Sequence, residues 1–330
     1  MKTLYVSQQG RYLALKGESL VIQYQQNTEG TIQLPLLEQV LIFGKSQLTT
    51  QAIRSCLWRK IPIAYLSRSG GCYGRVLSID ESYRHGARYQ QQLSDLERLE
   101  VARQIVQAKL QNSRTLLLRR HRTNASSTLA EGIERLSQLI LQGAEAENSE
   151  QLMGYEGAGA AQYFRGFAEC ITNPGFSFPE RSRRPPKDPV NALLSFGYQV
   201  LWNHLLSLIE LQGLDPYSAC LHQGTERHAA LASDLIEEFR GPIVDGLVLW
   251  LINCRVMDAE ADFEPRRGGC YLNGSGRRKY LSAFVKRMEQ DVMSEPGETQ
   301  PRWDLLNRQV KGFKRFVYDS TQGYQPYRIR

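Results

Sequence analysis

The chain has 330 residues, 42% hydrophobic and 23% charged, with neither Gly nor Pro in excess. That balance excludes a disordered or collagen-like chain and leaves room for a sizeable core, at a length where two domains are the natural expectation. Lys and Arg outnumber Asp and Glu by 41 to 34, a formal charge of +7, so small an excess that it speaks for nucleic acid only where the positive residues cluster.

The six cysteines lie far apart with no CxxC pair, which disfavours a zinc site and a disulfide framework and reads as reduced packing residues. The first residues, MKTLYVSQQGRYLALKG, lack an apolar core and a cleavage site, and no later run reaches 18 apolar residues. A cytoplasmic protein without a membrane role is expected.

In chain order, TLYVS at 3–7, RYLALKG at 11–17 and SLVIQY at 19–24 read as strands, with Lys16-Gly17-Glu18 turning a hairpin. TIQLPLLEQVLIFG continues extended, TTQAIRSCLWRK makes a short helix, and IPIAYLS and YGRVLS are two more strands joined through Gly70-Gly71. From 89 to 121 the apolar residues recur at helical spacing without proline, predicting one long helix with room for a kink. A second helix follows the polar break at 122–127, capped by Asn124 or a following serine. Residues 171–189 hold five prolines and no helical period, so they form a loop or mobile segment, and the tail 321–330 is expected to be poorly ordered. The fold class is therefore α+β. A small β-rich domain, 1–85, precedes a larger all-α domain, 86–330.

Four acids and a histidine draw attention. In QLMGYEGAGAAQYFRGF, Glu156 precedes a run of small residues that opens a helix and allows close approach of a neighbour or a phosphate; the same acid would also simply favour a helix start. In LDPYSACLHQGTERHAALASDLIEEFRGPIVD, His222 leaves a helix end, and Asp234, Glu237 and Glu238 share one face of the next helix. Like charges so close call for a compensating cation, either a bound ion or Arg240, unless they form a solvated face. Two carboxylates and an imidazole suit Mg²⁺ or Mn²⁺, and such an ion serves phosphodiester chemistry.

GYEGAGAAQYF, NALLSFGYQVL at 191–201, GLDPYSACLH at 213–222 and SDLIEEFRGPIVD at 233–245 together resemble the CRISPR-associated Cas-one endonuclease family, the integrase of spacer acquisition. The resemblance implies that Glu156, His222 and Glu237 are the metal-binding and catalytic residues, with Asp234 supporting Glu237. One departure is Cys220-Leu221 where the family carries an aromatic before the histidine, a change at packing positions. Also implied are a homodimer formed partly through the N-terminal sheets, and assembly with the small Cas-two protein on DNA.

Positive residues do cluster. Arg181, Arg183, Arg184 and Lys187 sit in the proline-rich loop, and Arg266, Arg267, Arg277, Arg278 and Lys279 flank GGCYLNGSG. With Arg165 they are expected to line a DNA groove through backbone contacts, although a solvated charge run reads the same way. Tyr163, Tyr198, Tyr217 and Tyr271 are read as core or interface residues rather than base-stacking ligands. The expected function is insertion of short DNA fragments into a CRISPR array by attack of a 3′-hydroxyl on a repeat phosphodiester. Hydrolysis of branched or single-stranded DNA, and a non-catalytic scaffold, are the alternatives.

Overall fold

The computed structural model describes residues 3–25, 27–67, 72–79, 82–224, 228–295 and 298–329. Strands β1 (Thr3–Val6), β2 (Tyr12–Lys16), β3 (Ser19–Tyr24), β4 (Asn27–Gln33), β5 (Gln39–Phe43), β6 (Gln47–Leu48), β7 (Ile63–Leu66) and β8 (Cys72–Val76) form two sheets, ordered β4-β3-β2-β6 and β1-β5-β7-β8. Lys16 pairs with Ser19 across the expected hairpin, and Gly17, at φ +59°, supplies the left-handed residue that so tight a turn needs. The Gly70-Gly71 turn lies outside the described residues. Parallel β5 and β7 are linked through helix α1 (Thr50–Trp58), whose cap Thr49 accepts from the Ala52 amide at 3.2 Å.

Period-two alternation along the central strands sorts their side chains into two cores. Val40, Ile42 and Ile63 join Leu13, Leu20 and the α1 residues Ala52 and Cys56. Their neighbours Leu41, Phe43, Ala64 and Leu66 point the other way, into the helical core. A strand buried on both faces thus couples the sheets to the helices.

The remaining elements are α2 (Ser82–Gln92), α3 (Asp95–Thr123), α4 (Ser127–Ala144), α5 (Ser149–Ala168), α6 (Pro189–Leu211), α7 (Ala230–Ile236), α8 (Gly246–Asn253), the hairpin β9 (Phe263–Arg266) and β10 (Gly269–Leu272), α9 (Gly274–Glu289), the hairpin β11 (Asp291–Glu295) and β12 (Glu298–Pro301), and α10 (Arg302–Tyr318). Apolar α6 is the axis of the helical part and is buried along most of its length, from Val190 to Ile209. By length and composition it is the one described helix that would cross a membrane, but the protein's own core takes up that surface. The sheet docks on it: the Gln39 side-chain amide donates to Ser207 Oγ at 2.6 Å, and Tyr5 meets His204.

Three expectations are corrected. The long helix over 89–121 is two helices, because Ser94 and Glu97 form a capping box that stops α2 and starts α3. The C-terminal part is not all-α. In β9–β10, Phe263 and Leu272 turn inward, while Arg267 and Gly268 take the positive φ of a tight turn. The tail is ordered through residue 329: Tyr324 is buried, its hydroxyl accepts from Gln309 at 2.7 Å, and the Ile329 amide donates to Asn112 Oδ1 at 2.8 Å. Buried polar groups on the helices need these partners, and the tail supplies them. Ser126 caps α4, and all six cysteines are free, as expected.

Candidate functional site

α5 begins at Ser149 under the cap of Asn148, so Glu156 rides in mid-helix rather than at a helix start, and the phosphate-binding N-terminus expected there is corrected. The small residues serve helix packing instead. A Cβ on Gly159 would stand 2.2 Å from Leu110 Cδ2 of α3, so glycine there lets α5 settle against α3 beside Lys109. The Lys109 ammonium forms an ion pair with the Glu156 carboxylate and lies 2.5 Å from Glu237 Oε2.

Helix α7 stops at Ile236, and the chain then turns into a wide helical stretch over Arg240–Asp245. Pro242 lacks the N–H of a regular helical bond, which favours the wider winding. Asp234, Glu237 and Glu238 therefore do not share one face, as the spacing suggested. Glu237 turns to Lys109 and to Arg240, whose Nε donates at 2.9 Å. Glu238 turns to the tail, where it accepts from the Tyr327 amide at 2.6 Å and from the Tyr324 hydroxyl.

Asp234 does not back Glu237, and that expectation is corrected: it holds His222. The fully buried carboxylate accepts from the amides of Cys220, Leu221 and His222 at 2.7, 2.9 and 2.9 Å, and lies 2.8 Å from His222 Nδ1. A carboxylate can only accept, so in the neutral imidazole Nδ1 carries the proton and Nε2 keeps its lone pair. This loop ends in the site because Asp234 gathers its amides, not because a helix ends there.

Electrostatics differ sharply between neighbours. Burial alone would raise the Glu237 carboxyl, but Arg240, then Lys109 and His222, hold it down to about 2. Burial would likewise lower His222; its bond to Asp234 and the charges of Asp234 and Glu237 raise it above its ordinary value. Arg240 also lies 4.5 Å from the centre of the Tyr198 ring. Beyond it Asp245, raised by burial to about 6, accepts from the hydroxyls of Tyr163 and Tyr198 at 2.8 and 2.5 Å. Those two tyrosines are core residues that serve this carboxyl.

Glu156, His222, Glu237, Lys109, Arg240 and Asp245 border one cavity of about 100 Å³. It adjoins a groove of about 670 Å³ lined by Arg181, Arg183, Arg184, Arg267, Tyr198 and Trp202. The proline-rich loop is thus laid beside the acids, with Arg181 tied back to Asn191 Oδ1 at 2.7 Å. Arg165, Lys187, Arg266 and Arg278 are exposed and border neither space. Arg277 is corrected to a structural residue, buried and donating to the Leu272 carbonyl at 2.6 Å. Lys279 is likewise spoken for, 2.6 Å from Asp262 Oδ2.

Among the described residues, no three His, Cys, Asp or Glu side chains stand together as an ion site; the Lys109 ammonium pairs with both carboxylates. That position already attracts a cation. Two carboxylates and a free imidazole nitrogen on its border are the donors a hard divalent ion accepts, so the residues fit such an ion once the ammonium leaves. Lys109 was missed, though a signal existed: with Ala102, Ile105, Val106 and Ser113 it falls on the apolar stripe of α3, where a charge needs a buried partner.

Residues 4–286 match the family model for CRISPR associated protein Cas1. The chain is 33% identical over 333 residues to CRISPR-associated endonuclease Cas1 3 of Thermus thermophilus, covering 99% of this chain and 97% of that one. It is 38% identical over 298 residues to a CRISPR-associated exonuclease Cas4/endonuclease Cas1 fusion of Geobacter sulfurreducens, covering 88% of this chain and 53% of the fusion. The chain therefore spans about half the length of that relative. Among solved structures, a Cas6-RT-Cas1–Cas2 complex aligns with a TM-score of 0.84 at 26% identity, over 100% of this chain and 36% of that one.

Proposed function

Because the chain belongs to the CRISPR-associated Cas1 family, we propose that it is a DNA integrase and endonuclease of CRISPR adaptation. The observation that carries this reading is the convergence of Glu156, His222 and Glu237 on one cavity beside an arginine-lined groove. Glu156, Glu237 and His222 Nε2 would hold Mg²⁺ or Mn²⁺. When bound, such an ion supplies Lewis-acid stabilisation of charge on the phosphoryl oxygens.

The chain's own residues do the rest. Arg181, Arg183, Arg184 and Arg267 bind strand phosphates along the groove, and Arg240 stands where groove and cavity meet. Asp234 keeps His222 in one tautomer and orientation, as a carboxylate behind a ligating imidazole does. In the reaction, the fragment's 3′-hydroxyl gives up its proton to water as its oxygen bonds to phosphorus, and the repeat strand's own 3′-oxygen leaves and takes up a proton, so one phosphodiester replaces another. With water as the nucleophile, the same groups cut instead of join.

The proposed working unit is a homodimer carrying the small Cas2 protein, with residues 1–85 serving dimerisation and partner contact and 86–330 serving catalysis. The separate apolar cluster of the two sheets supports that division, as does a structural relative solved as a Cas6-RT-Cas1–Cas2 complex. The test is to incubate the protein with Cas2, fragments bearing free 3′ ends and a supercoiled repeat plasmid. Joined products, lost in Glu156→Ala, are the expected result; cleavage without joining leaves only the nuclease, and neither activity in Mg²⁺ or Mn²⁺ overturns both.

A further inference from the structure

Lys109 stands where the proposed ion would go, and its charge is not redundant with Arg240. Glu156 and Glu237 contribute two negative charges, Lys109 and Arg240 two positive ones, so these four groups are balanced before any divalent ion arrives. Lys109 and Glu237 are held with side-chain exposures of only 13% and 3%. A divalent ion coordinated by both carboxylates and an ammonium touching the same carboxylates cannot coexist without strong, poorly screened repulsion.

Of the two cations, Lys109 is the one whose described partners are both carboxylates that the ion would take. Arg240 is fixed by its bond to Glu237 Oε1 and by the face of Tyr198. Lys109 is a compact charge on a flexible four-carbon stem, rooted on α3 between buried Ala108 and Leu110. The cavity it occupies is bordered by Arg181 and Arg183, which also line the groove. An expelled ammonium therefore finds a favourable partner only when a phosphate is present there; without DNA it faces other cations.

We propose that Lys109 is a resident counter-ion that keeps the two carboxylates from loading a divalent ion until DNA arrives, and then transfers its charge to a DNA phosphate. Metal binding and phosphate binding are thereby coupled through one side chain, each raising the affinity for the other by the same factor. The inference rests on the proposed metal reading of Glu156, His222 and Glu237. It makes Lys109 a positioning residue whose function is to withhold the ion from the DNA-free protein.

Mn²⁺ binding, followed by the loss of the free-ion electron paramagnetic resonance signal, tests it with a readout other than turnover. Duplex DNA with 3′-dideoxy ends serves as the probe, so that no joining occurs. In the wild-type protein, with the Mn²⁺ held by the same duplex alone subtracted, DNA should tighten Mn²⁺ binding at least about tenfold, within the usual range for coupled sites. Lys109→Met should bind Mn²⁺ at least about tenfold tighter than wild type without DNA, and DNA should add less. If Lys109→Met matches wild type without DNA while Glu156→Ala abolishes binding, the counter-ion role is overturned and the metal site stands. If Glu156→Ala binds Mn²⁺ as wild type does, the metal site itself falls.

A second measurement needs no variant. Reductive methylation of the wild-type protein, read at Lys109 by mass spectrometry, should be slow alone, faster with Mg²⁺, and slow again when the duplex is added. A rate unmoved by a Mg²⁺ concentration that binds would overturn the proposal even if Lys109→Met did not fold.

Discussion

Glu237 and Glu238 are chain neighbours, both almost wholly withdrawn from solvent at 3% and 0% exposure, yet they titrate in opposite directions. Glu237 faces the cavity, where Arg240 and Lys109 hold its carboxyl down to about 2 against the effect of burial. Glu238 faces the docked tail, where burial raises it to about 8 against the Tyr324 hydroxyl, the Tyr327 amide and, last, the charge of Arg328. The difference teaches that burial does not decide ionisation here; the presence of a full positive charge within contact does. One side of the α7 end meets cations in a cavity, which favours the charged form, and the other packs against the tail, where burial favours the protonated form.

The strongest way to break this contrast is to remove the charged side. Glu237→Ala, like Glu156→Ala, should lower joining by about a thousandfold, since several kcal/mol of charge stabilisation are lost with the ion. Gel-resolved initial rates within tenfold of wild type would remove Glu237 from the site. DNA binding should survive in both variants, because neither residue is a phosphate contact.

The packing side should show itself through pH. Glu238 has a folded value of about 8 against an ordinary 4.5, so the folded state holds a proton that the unfolded state has released. Its stabilising contribution is complete below the ordinary value and is lost as pH rises from about 4.5 through 8. At about 1.4 kcal/mol per unit, this is a loss on the order of a few kcal/mol. Glu238→Gln, neutral throughout, should flatten that decline in denaturant melts taken across the range. Parallel curves for variant and wild type would mean that Glu238 is ionised in the fold.

Asp234→Asn sharpens the contrast from the histidine side. Asn keeps one acceptor oxygen for the Cys220 and Leu221 amides but turns an NH₂ toward the His222 amide and Nδ1. The His222 tautomer is no longer held, so metal affinity and joining should fall about tenfold to a hundredfold, as for other residues behind a ligand. A change under twofold, measured by Mn²⁺ titration, would remove Asp234 from that role. The smallest expected effect is Tyr324→Phe, which deletes one donor to Glu238 and should cost about 1 kcal/mol of stability by urea unfolding. A loss indistinguishable from zero would show that Glu238 finds its partners elsewhere.

Much of this was legible in the sequence where the signal is local. The Lys16-Gly17-Glu18 hairpin, helix α1, the cap of α4 and the helical period of α3 all rest on interactions within a few residues. Family-level motifs marked Glu156, His222 and Glu237, and the structure brings these three around one cavity. What was misread involved competition between local and distant partners. Arg277 and Lys279 looked like groove cations because a charge run carries no record of Leu272 or Asp262. The tail looked loose because its order comes from Gln309, Glu238 and Asn112, all distant in sequence except the first.

The sequence by itself determined the β-then-helix order, the break at the proline-rich loop and the identity of the acids and histidine, because periodicity, turn residues and motif order are written in adjacent positions. Only the tertiary structure decided which acid faces which partner. Asp234 serves His222, Glu237 serves the cavity, Glu238 serves the tail, and Lys109, 47 residues from Glu156, sits between two carboxylates. The physical reason is that a buried charge is set by whatever charges and donors the fold places within a few ångströms of it, and those groups come from α3, α5, α7 and the C-terminus together.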